Sequence, residues 1–161
     1  MQKIELEIVA LSHSMAQTHS YVVVLGEVAK KYDLYTKITG GQRIDLLGVK
    51  KEDLPAVWQD IGMPSGHAYA KALRTVKTCV GSEWCRMGTQ DSTQMGKDLE
   101  RAMWRMYAPH KVKFAVSGCP RNCAEAGIKD VGVIGVDSGW EIYVGGNGGI
   151  KLKSKTLSTI A

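Results

Sequence analysis

The stretch TCVGSEWC, residues 78–85, and its counterpart SGCPRNC, residues 117–123, hold all four cysteines of the chain, as Cys79-x5-Cys85 and Cys119-x3-Cys123. Two short-range pairs set far apart in sequence let a fold bring four thiolates to one place. Four thiolates suit a tetrahedral zinc ion or an iron-sulfur cluster. The spacing favours the cluster. Zinc modules tend to keep about two to four residues between paired cysteines, so that one turn wraps a single ion. A five-residue interval opens a wider arc, better matched to separate corners of an iron-sulfide cube. A disulfide framework is poorly motivated in a chain with no secretory features.

Outward from the cysteines, hydrophobic periodicity sketches an α+β chain. Cys119 and Cys123 have the i, i+4 spacing of one helical face, and Pro120 suits a first helical position, so a helix is expected to start there. Lys111 to Ser117 alternates as a strand with Val112, Phe114 and Val116 inward, leading directly to Cys119. VGVIGV (131–136) and WEIYV (140–144), joined through Asp137-Ser138-Gly139, read as a hairpin. Asp91 to Tyr107 reads as a helix, because Asp91-x-x-Gln94 has the form of a capping box and Met95, Leu99, Met103 and Met106 recur at helical spacing as a core row. Nearer the N-terminus, residues 3–9 alternate as a strand and 20–32 read as a helix. A hairpin over 34–39 and 43–49 turns at Gly40-Gly41, and a helix over 52–61 carries Glu52 and Asp53 in its first turn and stops at Gly62. This βαββα order is that of a ferredoxin-like half-domain. The expected division is residues 1–70, of which 1–25 are atypical, and residues 71–161 beyond the linker MPSGHAYA.

Composition fits a globular chain of one domain or two small lobes: 161 residues, 44% hydrophobic and 23% charged. No stretch approaches the roughly 20 consecutive apolar residues of a membrane span. The segment MQKIELEIVALSHSMA has no uninterrupted apolar run and is not a signal peptide, which predicts a cytoplasmic location. A net charge of +5 raises the question of nucleic acid. Lys and Arg are scattered, however, and the few aromatic residues form no stacking platform, so no nucleic-acid partner is expected.

The words around the cysteines are recognisable. TCVGSEWCRMGTQDS, PHKVKFAVSGCPRNCAEAGIKDVGVIGVDSGWEIYVGGNGG and KITGGQRIDLLGVKKEDLPAVWQDIGMPSGHAYAKALRTVKTC closely resemble the siroheme domain of the assimilatory nitrite and sulfite reductase family, in the form found in the large subunit of bacterial NAD(P)H nitrite reductases. The resemblance runs from about Gly26 to about Ile150. It implies an α/β lobe that binds siroheme and a 4Fe-4S cluster after the ferredoxin-like half-domain. Cys79, Cys85, Cys119 and Cys123 would hold the cluster, with Cys123 shared as the axial ligand of the siroheme iron. The implied activity is the six-electron reduction of nitrite to ammonium. The helix expected at Cys119 would then aim its N-terminal amides at thiolate and sulfide, favouring the reduced state. Gly81 and Gly118 would let the backbone approach the cluster or serve as ordinary turn glycines.

The same resemblance suggests further site residues. Lys111 and Lys113 in PHKVKF match the family's K-x-K pair, and Lys77 in TVKTC matches a position often basic there; their implied roles are binding the anion and relaying protons to its oxygens. Arg43, in TGGQRID, and Arg121 with Asn122 are candidates to pair with siroheme carboxylates. The glycine segment 145–149 is a weak siroheme contact and not a phosphate loop, because no GK[ST] follows. An anionic substrate and a cofactor rich in carboxylates also explain the positive balance. His110 stands beside Lys111, whereas solvated positions suit His13, His19 and His67.

Departures from the pattern bound the reading. Residues 1–25 lack the Pro-Arg stretch by which the family enters this domain, and the last ten or so residues trail off from it. No GxGxxG is present, so the flavin and NAD(P)H portions that load electrons, or a small subunit, must lie elsewhere, and the chain looks like a fragment. The family builds its pocket between two pseudo-symmetric repeats, and one is present here. A homodimer or a partner domain would complete it. Three classes stand: the catalytic siroheme domain of a nitrite reductase, with a sulfite reductase as its near neighbour; a non-catalytic iron-sulfur electron-transfer module or cofactor-free remnant; and a zinc-stapled structural domain.

Overall fold

The computed structural model describes residues 2–6, 18–63, 71–73, 75–104, 106–148 and 153–160. The chain separates into two compact units, Met1–Ala68 and Tyr69–Ala161.

The first unit runs β1 (Gln2–Leu6), α1 (Thr18–Lys31), β2 (Tyr35–Ile38), β3 (Ile44–Val49) and α2 (Leu54–Ile61), with the sheet ordered β1-β3-β2 and both pairings antiparallel. Its core joins Leu25, Val28 and Ala29 of α1 to Leu46 and Val49 of β3 and Val57 and Ile61 of α2. Leu46 and Val49 both point inward although strict alternation would put them on opposite faces. Gly48, at φ 99°, is the extra residue of a bulge where the register with Gln2 and Lys3 shifts, and this restores Val49 to the core. The expected turn at Gly40-Gly41 closes through Thr39 N–H donating to Arg43 O at 2.8 Å. The start of α2 differs from expectation. Pro55 occupies its opening positions, so Asp53 is the cap, without a side-chain bond, and Glu52 lies outside. Gly62 ends it in the left-handed region at φ 60°. Residues 7–9 of the expected first strand fall outside the described residues.

The second unit contains β4 (Lys77–Thr78), α3 (Gly81–Trp84), α4 (Ser92–Met103), β5 (Phe114–Ser117), a 3-10 turn (Ala126–Ile128), β6 (Val131–Val136), β7 (Gly139–Asn147) and β8 (Lys153–Ile160). Its sheet is ordered β4-β5-β6-β7-β8, parallel across the first three strands and antiparallel across the rest. Phe114 to Ser117 are all buried because layers cover both faces of β5. On one face Val76, Phe114, Val116 and Val133 pack with Met95, Leu99 and Met103 of α4. On the other, Ala115 and Ile134 pack with Ala124 and Ala126. The expected 131–144 hairpin is present, with Val136 opposite Gly139.

Two expectations fail here. The helix expected to reach Tyr107 ends at Met103, and Met106 is exposed rather than core. Past Trp104 the backbone bonds to the segment 71–73 instead, through Leu73 N–H to Met106 O and Ala108 N–H to Lys71 O, both 3.1 Å. The polar C-terminal stretch forms β8, whose pairing with β7 supplies the order that its own sequence does not advertise. Among the described residues no helix is long and apolar enough to cross a membrane.

Candidate metal centre

β4 and β5 are parallel neighbours in the register Lys77↔Ala115 and Thr78↔Val116, so both finish at the same end of the sheet. Cys79 follows β4 directly and Cys119 follows β5 after Gly118. Cys79 N–H donates to Val116 O at 3.2 Å, and Gly118 N–H donates to Cys79 Sγ at 3.2 Å. The first member of one cysteine pair is thereby bonded to the residue preceding the other pair. Gly118 O in turn accepts from Thr89 N–H (2.8 Å), Gln90 N–H (2.9 Å) and the Thr89 hydroxyl (2.9 Å), which ties the segment after Cys85 to the same point.

Both glycines expected either as close approaches or as turns are close approaches. A Cβ on Gly118 would lie 2.7 Å from Gln90 O and 3.0 Å from Gly81 Cα, and one on Gly81 would lie 2.7 Å from Ser92 N. Gly81 also has φ 71°, which only glycine adopts without strain. Cys85 is joined to this turn by its N–H to Gly81 O at 2.9 Å.

The four sulfurs differ in surroundings. Cys119 is buried, Cys79 and Cys85 are half-buried, and Cys123 is exposed. Cys79 packs against Ala115, Ala124, Ala126 and Ile134, and its Sγ lies 3.1 Å from Ser92 Oγ. Burial is the largest influence on its thiol and opposes ionisation, but the Ser92 hydroxyl and the amides of Gly118, Gly81 and Cys79 itself outweigh it and hold the pKa below the ordinary thiol value. Among the described residues no three Cys, His, Asp or Glu side chains are arranged to hold a single metal ion. A structural zinc needs four sulfurs at about 2.3 Å from one point, whereas a cluster spreads its ligands over several irons. The cysteine pairs stand at the ends of the adjacent strands β4 and β5 with a backbone amide already donating to Cys79 Sγ, a thiolate set of the kind that a cluster takes.

The expected helix over Cys119–Cys123 is absent. Asn122 (φ 57°) and Glu125 (φ 60°) are left-handed, and the segment is two successive turns closed by Asn122 N–H to Cys119 O (3.1 Å) and Glu125 N–H to Asn122 O (2.8 Å). Local side-chain bonds compete with the helix. Asn122 Oδ1 accepts from Gly127 N–H at 3.1 Å and lies 3.3 Å from Ser117 Oγ, which accepts from Ala124 N–H at 3.2 Å. The turns bury Ala124 and Ala126 and leave Cys123 outside, so the helix-dipole contribution to the site falls away.

The basic candidates separate. Lys77 is mostly buried and pairs with Glu125 at 3.0 Å, as Lys129 does from the other side at 3.0 Å; both lysines hold the Glu125 carboxyl below its ordinary pKa. Lys111, Lys113 and Arg121 are exposed. Lys113 contributes its backbone N–H to Asp130 Oδ2 at 2.7 Å. Asn122 spends its carboxamide oxygen inside the loop. Arg43 belongs to the first unit, where its guanidinium folds over Gly41. Gly145 and Gly146 bond to the backbone of Asp130 and Lys129 at 2.9 Å each. His110 is exposed, while His13 and His67 lie outside the described residues. Ser92, Gln90, Glu125 and Lys129 are structural participants that sequence reasoning missed. Only the position of Ser92 beside the Asp91 cap signalled any of them.

Comparison with known proteins extends this picture. Residues 69–160 match the family described as nitrite and sulphite reductase 4Fe-4S domain, and residues 18–64 match the nitrite/sulfite reductase ferredoxin-like half domain. The matches start earlier and finish later than the 26–150 expected from wording alone, so the C-terminal strand belongs to the pattern. A nitrite reductase [NAD(P)H] of Bacillus subtilis is 63% identical over 134 residues, covering 83% of this chain and 17% of that protein. The nitrite reductase [NAD(P)H] large subunit of Klebsiella oxytoca is 56% identical over 139 residues, covering 84% of this chain and 14% of that protein. This chain thus spans roughly a sixth of the length of these curated relatives. Among solved structures, dissimilatory sulfite reductase I shares the fold at a TM-score of 0.63 and 23% identity, over 82% of this chain and 32% of that one.

Proposed function

Because the chain belongs to the nitrite and sulphite reductase 4Fe-4S domain family, we propose that Cys79, Cys85, Cys119 and Cys123 hold a 4Fe-4S cluster and that the chain is the siroheme-binding catalytic portion of an assimilatory nitrite reductase. The observation that carries the reading is the bond from Gly118 N–H to Cys79 Sγ, which joins the two cysteine pairs at the ends of adjacent parallel strands. Exposure suits Cys123 to the shared role, because a large tetrapyrrole can reach only a sulfur on the surface. When bound, siroheme and the adjoining cluster would pass on, one at a time, the six electrons that the flavin and NAD(P)H portions deliver and that take nitrite to ammonium.

The chain's own residues have separate tasks in this reading. The four cysteines bind the cluster. Lys111 and Lys113, exposed and cationic, attract the anion and hold protons for its oxygens. Lys77 is secured by Glu125 and, with Lys129, sets the charge beside the Cys119–Cys123 turns. Arg43 and Arg121 are assigned to siroheme carboxylates, and Asn122 to fixing the loop that carries Cys123. Residues 1–70 and 71–161 are taken as the two domains. Flavin and NAD(P)H portions, and either a second copy or a partner domain, complete the enzyme, which we place in the cytoplasm. Sulfite is the second reading, since the family's description names both anions.

The test is anaerobic loading with iron, sulfide and siroheme. Tetrapyrrole absorption bands in the wild type and their loss in Cys123→Ser support the assignment; retention of identical bands in that variant refutes the shared ligand.

A further inference from the structure

We propose that Ser92 is the donor that positions the Cys79 sulfur as a ligand and raises the reduction potential of the bound cluster; the inference rests on the cluster assignment above. Helix α4 buries a stripe with no large apolar side chain, namely Ser92, Gly96 and Glu100. Their i, i+4, i+8 spacing is one helical face, and that face is pressed on the segment Val76–Cys79. Glu100 Oε2 accepts Val76 N–H at 2.7 Å, Gly96 admits the Thr78 methyl where a Cβ would collide with it, and Ser92 Oγ donates to Cys79 O at 2.9 Å. The helix grips both ends of the segment, so the sulfur is located by a rigid element and not by the loop alone.

Counting protons shows what Ser92 does once the sulfur is a ligand. Its hydroxyl has one proton and is in contact with two acceptors, Cys79 O and, at 3.1 Å, Cys79 Sγ. With a protonated thiol, S–H donates to Ser92 Oγ while Ser92 donates to the carbonyl. A thiolate on iron has no proton to give, and the same contact is favourable only when Ser92 turns its proton onto sulfur. The carbonyl then keeps a donor at hand, because Thr93 Oγ1 already lies 3.5 Å from it beside its 3.2 Å bond to Val80 O. Gly118 N–H is on the sulfur from the other side at 3.2 Å. Two donors on one ligand sulfur stabilise the reduced, more negative cluster.

The experiment reads midpoint potential by EPR-monitored titration of the full chain after anaerobic cluster loading. Ser92→Ala should lower the potential by about 59 mV, a tenfold change for a one-electron couple, with iron and sulfide content unchanged. An unchanged potential overturns the inference and leaves the cluster assignment standing. A wild-type chain that takes up neither iron nor sulfide overturns the cluster assignment itself. Where Ser92→Ala does not load, Thr93→Val decides: it leaves the carbonyl competing for the Ser92 proton, so a downward shift supports the inference and no shift overturns it.

Discussion

The backbone amide of Gly118 donates to the sulfur of Cys79 at 3.2 Å. One bond therefore spans the long sequence gap between the cysteine pairs, and it is short because two glycines, Gly81 and Gly118, meet without side chains. The packing around this bond makes Gly118 sterically unforgiving. Gly118→Ala would force a methyl to 2.7 Å from Gln90 O. It should destabilise the chain by about 1–3 kcal/mol, read as a lowered Tm, and should release iron and sulfide from the loaded protein.

Cys79 and Cys123 should respond unequally to serine. Cys79 packs against Ala115, Ala124, Ala126 and Ile134, whereas Cys123 is exposed. In the metal-free chain Cys123→Ser should change stability by no more than about 0.5 kcal/mol, as surface substitutions do, and Cys79→Ser should cost measurably more by denaturant unfolding.

Glu100 is buried, and desolvation raises its pKa with partial relief from the Val76 amide. An acid whose folded pKa lies above its unfolded value is protonated in both states at low pH. As pH rises past the ordinary glutamate value of 4.5, the unfolded state ionises first and stability falls until the folded group also ionises. Glu100→Gln should therefore gain on the wild type in unfolding free energy as pH is raised from 4 towards neutrality, and parallel pH profiles for the two proteins would contradict this.

Glu125 has the opposite sign. Lys77 and Lys129 lower its pKa, so its contribution is present above the ordinary carboxylate value of 4.5 and is lost as pH falls through the depressed folded value. The carboxylate is half exposed, so the effect should be small and shrink with added salt. Glu125→Gln should flatten the acid limb of a Tm-against-pH curve measured at low ionic strength.

Much of the fold was legible in the residues. The β6–β7 hairpin followed from alternation around Asp137-Ser138-Gly139, and the cap at Asp91 accepts Gln94 N–H at 2.9 Å as its spacing promised. The failures share a cause. Cys119-x3-Cys123 has helical spacing, but bonds from Asn122 and Ser117 to neighbouring amides hold left-handed turns that spacing cannot reveal. Met106 fits the helical row, yet pairing with residues 71–73 takes its backbone away. Strand β8 is Lys-, Ser- and Thr-rich and is ordered by its partner β7 rather than by an apolar pattern. The cysteines themselves were plain, whereas the Ser92 contact to Cys79 depends on tertiary packing of α4.

The cluster assignment is tested most directly by elemental analysis of the chain after anaerobic reconstitution with iron and sulfide. About four irons and four acid-labile sulfides per chain are expected, falling to near zero in Cys79→Ser. One tightly held zinc with no labile sulfide would contradict it.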